Sequence, residues 1–257
     1  MEVNKSYWTE RYTKEFSYRS SAHISFSWSY NQYVYKAYLR TLCNMLIKNK
    51  RSLSQKKILD IGSGSGYYVE YYKKIGVQSL IGTDITDISV SNLQNKFKDY
   101  SFICHDITQD FPAFIREIKF DIISVFDVLY YIIDDQLFEK SIRDISELAD
   151  SQTLIIITDK FINQSPNKGL VYYKHRNLNH YQKVFKENGL KIIDRQPVNS
   201  LLKRPFPFPA FYSFLKWELS KINIDLEKLL GRFLYAIEPL VLYRWQADIQ
   251  MIFVKKL

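Results

Sequence analysis

The stretch KILDIGSGSGYY, residues 57–68, decides the fold of this chain. An apolar run ends in an aspartate, and Gly62, Gly64 and Gly66 follow at alternate positions. A strand, a glycine-rich turn and a helix bring backbone N–H groups against a ligand, and glycine lets that ligand come close. The dinucleotide spacing G-x-G-x-x-G is not met, because Tyr67 stands where its third glycine would be.

Aspartates end three successive strand-like runs, and they narrow the choice of ligand. Asp60 ends KKILD, Asp84 lies near the end of IGTDI, and Asp106 lies near the end of FICHDI. At the carboxyl edge of a parallel sheet, Asp84 can accept both ribose hydroxyls of an adenosine, and Asp106 can receive the adenine amino group beside Ile107. The glycine loop alone is compatible with three interpretations: a site for a nicotinamide dinucleotide, a site for S-adenosylmethionine, or a turn with a purely structural role. Each aspartate alone could be a helix N-cap, but three in register favour an adenosine ligand.

Strand-like and helix-like segments alternate over residues 56–196, which predicts an α/β fold with a doubly wound, mostly parallel sheet of seven strands. We expect four parts in the chain. They are an N-terminal helical cap (1–52), a ligand-binding core (53–198), an aromatic helical insert that caps the substrate (199–243) and a final core strand (244–257). The amphipathic pattern of residues 28–50 predicts a helix within the cap.

The chain resembles the class I S-adenosylmethionine-dependent methyltransferases over residues 55–196 and the last strand. ILDIGSGSG is similar to the first motif of that family, IGTDI to its ribose-binding strand end, and ICHDI to its adenine-contacting motif. FDIISVFDVLYYIIDD is similar to its fourth strand and the loop that follows. The resemblance implies a Rossmann-like fold with an antiparallel seventh strand and S-adenosyl-L-methionine as cofactor, with S-adenosyl-L-homocysteine as product. It implies these cofactor-binding residues: Asp60, Gly62, Gly64, Gly66, Asp84, Ile85, Asp106, Ile107 and Phe126.

The loop after the fourth strand bears on the methyl acceptor. Methyltransferases that act on nucleic-acid bases usually carry Asn/Asp-Pro-Pro-Tyr/Phe there, whereas this chain has no proline over residues 126–131. Many small-molecule members of the family carry a histidine where this chain has Tyr131. We therefore consider four candidates for a general base: Tyr131, His175, Asp127 and Asp159. His175 could equally be a surface-loop histidine, and its neighbour Arg176 could clamp an anionic group.

The amino-acid composition limits the classes of protein to which the chain can belong. The chain has 257 residues, 46% of them hydrophobic and 25% charged, enough to bury a core. Its two cysteines are too few for a disulfide framework, and neither a secretory signal nor an apolar stretch of about 20 residues occurs, so we expect a soluble, cytoplasmic protein. No spacing of its four histidines matches a metal motif, so we expect no metal.

The positive charge is concentrated near the N-terminus, where residues 1–57 hold 11 basic and 3 acidic residues. This distribution favours either an anionic partner or a surface whose lysines only keep the protein soluble.

The function predicted from sequence is methyl transfer to a small molecule or glycan, most plausibly at a hydroxyl. Two alternatives stay open: a nucleic-acid methyltransferase that uses the basic N-terminal segment, and a non-catalytic S-adenosylmethionine-binding protein. Nucleic acid is the less favoured partner. The aromatic insert could wall an acceptor pocket, form a dimer interface or touch a membrane surface, and the oligomeric state is left open.

Overall fold

The computed structural model describes residues 2–162, 173–203, 209–241 and 249–257. The strands are β1 (Lys57–Ile61), β2 (Ser79–Asp84), β3 (Ser101–Cys104), β4 (Ile122–Phe126), β5 (Leu154–Asp159), β6 (Leu190–Asn199) and β7 (Ile249–Lys256). The helices are α1 (Glu2–Lys14), α2 (Trp28–Lys48), α3 (Tyr67–Lys74), α4 (Asp87–Lys96), α5 (Ala113–Arg116), α6 (Asp135–Glu147), α7 (Leu178–Glu187), α8 (Pro209–Ser220) and α9 (Leu226–Val241).

The seven strands form one sheet in the order β3-β2-β1-β4-β5-β7-β6. Strands β1 to β5 pair in parallel, and β7 lies antiparallel between β5 and β6. Every residue of β4 and β5 is buried, because helices cover both faces of the sheet and leave no polar side. The predicted fold, a doubly wound and mostly parallel sheet with an antiparallel seventh strand, is therefore confirmed.

Two apolar layers hold the helices to the sheet. On one face, Leu42 and Met45 of α2 pack with Val69 and Tyr72 of α3. On the other face, α6 and α7 contribute a second cluster that includes Phe138. Burial of large side chains of this kind is worth roughly 1.5–3 kcal/mol for each residue. The carboxyl ends of β1, β2 and β4 meet at one edge, because these strands are parallel neighbours in the sheet.

The flanking segments pack on one side of this core. The N-terminal segment forms two helices, α1 and α2, and α9 crosses the outer side of α2 so closely that a Cβ on Gly231 would lie 2.6 Å from the Tyr33 ring. Residues 204–208 and 242–248 of the predicted insert and final strand lie outside the described residues. The four predicted part boundaries stay predictions. Within the described ranges, no helix is long and apolar enough to span a bilayer.

Candidate active site

A cavity of about 790 Å³ opens at the carboxyl edge of β1, β2 and β4. The glycine loop forms its floor, and residues of α1, α2 and the connecting segment cover it from above. Its size is within the range of sites that bind small molecules and cofactors. Such edges are where doubly wound sheets bind their ligands, so the fold places the cavity as the sequence motifs predicted.

The glycine loop is held in a conformation that other residues adopt at a cost. Gly62, Gly64 and Gly66 have φ values of 78°, 56° and 84°, in the left-handed region. The N–H of Gly64 donates to Asp84 Oδ2 at 2.9 Å, and the N–H of Ser65 donates to Ser21 Oγ at 3.0 Å. The loop is therefore fixed both by the neighbouring strand and by the N-terminal segment.

Gly62→Ala should cost more stability than Gly189→Ala. Both glycines have positive φ, but a Cβ on Gly62 would lie 2.2 Å from Val128 Cγ2, whereas a Cβ on Gly189 meets nothing within 4 Å. We expect about 1 kcal/mol lost at Gly189 from backbone strain and a further ~1–3 kcal/mol at Gly62 from overpacking. Urea unfolding of the two variants measures the difference, and equal losses would show that Val128 yields without cost.

Asp84 borders the cavity and is buried, with both oxygens held by the protein. Its Oδ1 accepts from the backbone N–H and the hydroxyl of Thr86 at 3.0 Å and 2.8 Å, and its Oδ2 accepts from Gly64. Burial raises the pKa of Asp84 to about 6, against the opposing effect of these hydrogen bonds. Its carboxylate is therefore held in a fixed position beside the cavity and is mostly ionised at neutral pH.

The pKa of Asp84 predicts a pH dependence of ligand binding. If the carboxylate accepts ribose hydroxyls, binding requires its ionised form, so the affinity for S-adenosylhomocysteine should fall as pH decreases through about 6. We expect a plateau above pH 7 and a loss approaching tenfold per pH unit well below 6. Calorimetry between pH 5 and 8 measures this. An Asp84→Asn variant should show weaker binding without that pH step, and a step of equal size in the variant would assign it to another group.

The other two strand-end aspartates do not face the cavity. Asp60 is buried under the loop, where its oxygens accept from Ser63 Oγ at 2.8 Å and Ser124 Oγ at 2.6 Å. Asp106 Oδ1 accepts from the N–H and hydroxyl of Thr108, and Asp106 borders a smaller depression that shares Ile85 and His105 with the cavity. Neither aspartate is among the residues that border the cavity itself, and their contact with a cofactor stays a prediction. Asp60 fixes the loop.

Three apolar residues predicted for cofactor binding do border the cavity. Ile85 and Ile107 lie at its β2 and β3 side, and Phe126 lies at the end of β4 against the Tyr68 ring, with ring centres 4.3 Å apart. His105 also borders this part of the cavity, and its Nε2 is buried without a hydrogen-bond partner. Burial lowers the pKa of His105, so its ring is neutral near pH 7. No sequence motif singled out His105 as a residue of the site.

Asp127 and Tyr131 border the cavity on the loop after β4, but neither is arranged as a free base. Asp127 has a φ of 57°, and its oxygens accept from Tyr38 at 2.7 Å and from Thr158 at 3.0 Å. Burial raises the pKa of Tyr131 well above its usual range. Tyr131 therefore keeps its proton at neutral pH and is not a base there, although its hydroxyl can form hydrogen bonds.

His175 borders the cavity, and a buried carboxylate lies behind it. Its Nδ1 is 3.9 Å from Asp159 Oδ1, and Asp159 in turn accepts a hydrogen bond from the Tyr181 hydroxyl. The His175 side chain is 15% exposed and that of Asp159 only 1%. Burial raises the pKa of Asp159, and the neighbouring histidine and tyrosine oppose the rise. Asp159 does not itself border the cavity and can act there only through His175.

Arg176 is not available to a substrate, contrary to the expectation of an anion clamp. It is 4% exposed and lies over the Phe138 ring. Its Nε donates to Asp135 at 2.9 Å, and its Nη2 donates to the Ile132 carbonyl at 2.8 Å. Arg176 therefore secures the start of α6.

The N-terminal segment makes contacts at the cavity that the sequence did not predict. Asn4 donates from Nδ2 to the Tyr131 carbonyl at 2.6 Å, and Tyr12 and Ser21 share a hydrogen bond of 3.1 Å above Gly64. Asn4 lies 127 positions from Tyr131 and Ser21 lies 44 positions from Ser65, so no local pattern could indicate these two contacts. In the described part of the chain, no group of three or more His, Cys, Asp or Glu residues could hold a metal ion.

The family model for methyltransferase domains matches residues 28–204, more than half of the chain. The chain therefore belongs to this family, the class I S-adenosylmethionine-dependent methyltransferases that its motifs resemble. It is an enzyme of that class by family.

Solved structures show the same fold at low sequence identity. The N-methyltransferase NodS from Bradyrhizobium japonicum, in complex with S-adenosylhomocysteine, is 13% identical with a TM-score of 0.58, covering 97% of this chain and 98% of that one. The magnesium protoporphyrin IX methyltransferase from Synechocystis PCC 6803 is 14% identical with a TM-score of 0.57, covering 78% and 94%. The StiE O-methyltransferase domain is 18% identical with a TM-score of 0.56, covering 84% and 73%. Because this set includes both N- and O-methyltransferases, the fold does not decide the acceptor atom.

Proposed function

We propose that this chain binds S-adenosylmethionine along the glycine loop, with Asp84 at the ribose, and methylates a hydroxyl group of a small molecule or sugar. When bound, the cofactor supplies an electrophilic methyl group on a positively charged sulfur. The protein then has three tasks: to align the acceptor oxygen with that methyl group, to exclude water and to remove the hydroxyl proton. Ile85, Ile107 and Phe126 would hold the adenosine.

The single observation that carries the proposal is that His175 borders the cavity with its Nδ1 3.9 Å from an oxygen of the buried Asp159, within reach of an ion pair when the imidazole is protonated. When the proton of the neutral imidazole is on Nδ1, the nitrogen nearer Asp159, the lone pair is on Nε2. In that tautomer, Nε2 can take the proton from the hydroxyl group of the methyl acceptor. The carboxylate behind the ring stabilises the imidazolium that results. An amine acceptor that binds in its neutral form needs no such base before attack, so a His–Asp pair favours a hydroxyl.

The other two candidates have supporting roles in this proposal. Tyr131 would donate a hydrogen bond to the acceptor, since its raised pKa keeps it protonated. Asp127 would orient Tyr38, whose hydroxyl it already binds at 2.7 Å. Helix α1 covers the cavity and would exclude water from it. Asn4 fixes this helix by its hydrogen bond to the Tyr131 carbonyl.

The charges of the N-terminal segment support a small acceptor over a nucleic acid. Several of its lysines are already ion-paired with carboxylates: Lys14 with Glu10, Lys48 with Asp194 and Lys56 with Asp121, at 2.5–2.9 Å. Paired lysines release fewer counterions when a polyanion binds, which weakens the main electrostatic contribution to such binding.

The test is to identify the atom that receives the methyl group. The protein is incubated with S-adenosylmethionine carrying a ¹³C-methyl group and a panel of sugars, phenols and amines, and the products are examined by NMR. Methoxy signals that require the active protein support the proposal. Methylamine products alone, or tight cofactor binding with no transfer to any compound, would contradict it.

A further inference from the structure

Aromatic rings form a continuous wall on the side of the cavity that contains His175. Trp8 lies edge-on to Tyr131 with ring centres 5.5 Å apart, and Tyr131 lies 4.5 Å from Tyr130. The ring of Tyr130 is 5.5 Å from that of His175, which is 5.0 Å from the Tyr173 ring. All five residues border the cavity, so the candidate base sits within an aromatic surface.

A second group of rings borders the same cavity from α2 and the start of α3. Tyr35 lies 4.2 Å from Tyr67 and 5.9 Å from Tyr68 between ring centres, and Tyr38 lies 6.4 Å from Tyr68. Burial raises the pKa of Tyr35, Tyr38 and Tyr68, so these rings are neutral. Two groups of aromatic rings therefore border the one cavity.

Aromatic enclosure favours a flat aromatic occupant over a saturated one. Offset stacked and edge-to-face ring pairs are more favourable than the burial of equal apolar area, and the tyrosine hydroxyls can bind polar groups at the rim of a planar ligand. A sugar ring stacks on one aromatic face but presents hydroxyls around its whole edge, each of which needs a partner when buried.

The base points to the same class of acceptor. A phenol titrates near ~10, as tyrosine does, whereas a water-like hydroxyl titrates near ~16, and an imidazole ordinarily titrates near ~6.5. A single imidazole can therefore take a phenolic proton across a gap of about 3.5 units, while an aliphatic hydroxyl leaves a gap of about 9 units. Among the cavity residues considered, His175 is the one with a base-like arrangement.

We propose that the acceptor is a planar aromatic compound with a hydroxyl on the ring, bound between the two aromatic surfaces with that hydroxyl at His175. This inference rests on the proposed function and narrows its substrate class. In the reaction, the phenolic oxygen forms a bond to the methyl carbon while the bond from that carbon to sulfur breaks, and its electron pair stays on sulfur. The phenolic proton moves to His175 and from there to water, leaving an aryl methyl ether and S-adenosylhomocysteine.

The test compares two probes of the same skeleton, 2-naphthol and its saturated counterpart decahydro-2-naphthol. Calorimetry is carried out on the full chain saturated with S-adenosylhomocysteine, and methyl transfer is followed with S-adenosylmethionine. We expect 2-naphthol to bind about tenfold more tightly and to be the only one of the two that is methylated. Equal binding, or transfer to decahydro-2-naphthol or a sugar, would overturn the inference.

Ring variants separate stacking from general damage to the protein. Tyr130→Leu should remove most of the preference for 2-naphthol, and Tyr130→Phe should retain it, because only the ring is required. Tyr71→Leu is the matched control, since Tyr71 binds Cys43 on the outer side of α3 and does not border the cavity. If the preference survives in Tyr130→Leu, this aromatic surface is not the binding site. Failure of S-adenosylhomocysteine to bind at all would instead refute the proposed function.

Discussion

Replacing Asp84 with alanine should weaken binding of S-adenosylhomocysteine by about 10²–10⁴-fold. In the proposed site this carboxylate accepts both ribose hydroxyls, and hydrogen bonds to a charged group are worth roughly 1.5–3 kcal/mol each. The substitution also removes the acceptor for the Gly64 N–H, which is 2.9 Å from Oδ2, so the loop loses part of its support. Calorimetric titration of wild type and variant measures the loss directly.

Asp87→Ala provides the matched control for Asp84. Asp87 is three residues away, at the start of α4, and its side chain is 77% exposed. It should retain wild-type affinity, which separates the loss of one specific carboxylate from a general change in charge. Circular dichroism establishes that both variants are folded. Unchanged affinity in a folded Asp84→Ala variant would place the ribose elsewhere in the cavity.

His175→Gln should lower kcat by about 10²–10⁴-fold and leave the affinity for S-adenosylhomocysteine unchanged. Positioned general bases contribute in this range, and glutamine retains much of the size and polarity of histidine but cannot accept the proton. Steady-state kinetics with an aryl hydroxyl acceptor measure kcat, and calorimetry measures the affinity for S-adenosylhomocysteine.

Two further variants make the His175 prediction specific. Asp159→Asn should reduce kcat by a smaller factor, because it leaves the imidazole in place but removes the carboxylate that stabilises the imidazolium. His180→Gln should leave kcat unchanged, since His180 lies on α7 against Phe138 and does not border the cavity. A His175→Gln variant with wild-type kcat would show that alignment alone drives the transfer and that the reaction needs no base at this position.

The short-range patterns of the sequence were sufficient for the fold. The alternation of apolar runs with amphipathic segments predicted the sheet, because strands buried on both faces must be apolar throughout, as β4 and β5 are. The glycine-rich turn and the position of Asp84 at a strand end could also be predicted, since a tight turn and a strand-end carboxylate are local requirements. At Asp60 and Asp106, hydroxyl groups of residues nearby in the chain donate to the carboxylates, so the contact of these two residues with a ligand stays a prediction.

By itself, the sequence determined the class of protein and the floor of its ligand cavity. Only the tertiary structure decided what closes the cavity, because that depends on contacts between residues far apart in the chain. Asn4 reaches the loop after β4, Ser21 reaches the glycine loop, and His175 meets Asp159 beside Tyr130. The described residues of the aromatic insert do not border the cavity, and α9 packs against α2, so the role of the insert as a substrate cap stays a prediction. A local pattern fixes which element forms, whereas packing fixes which side chains of separate elements meet.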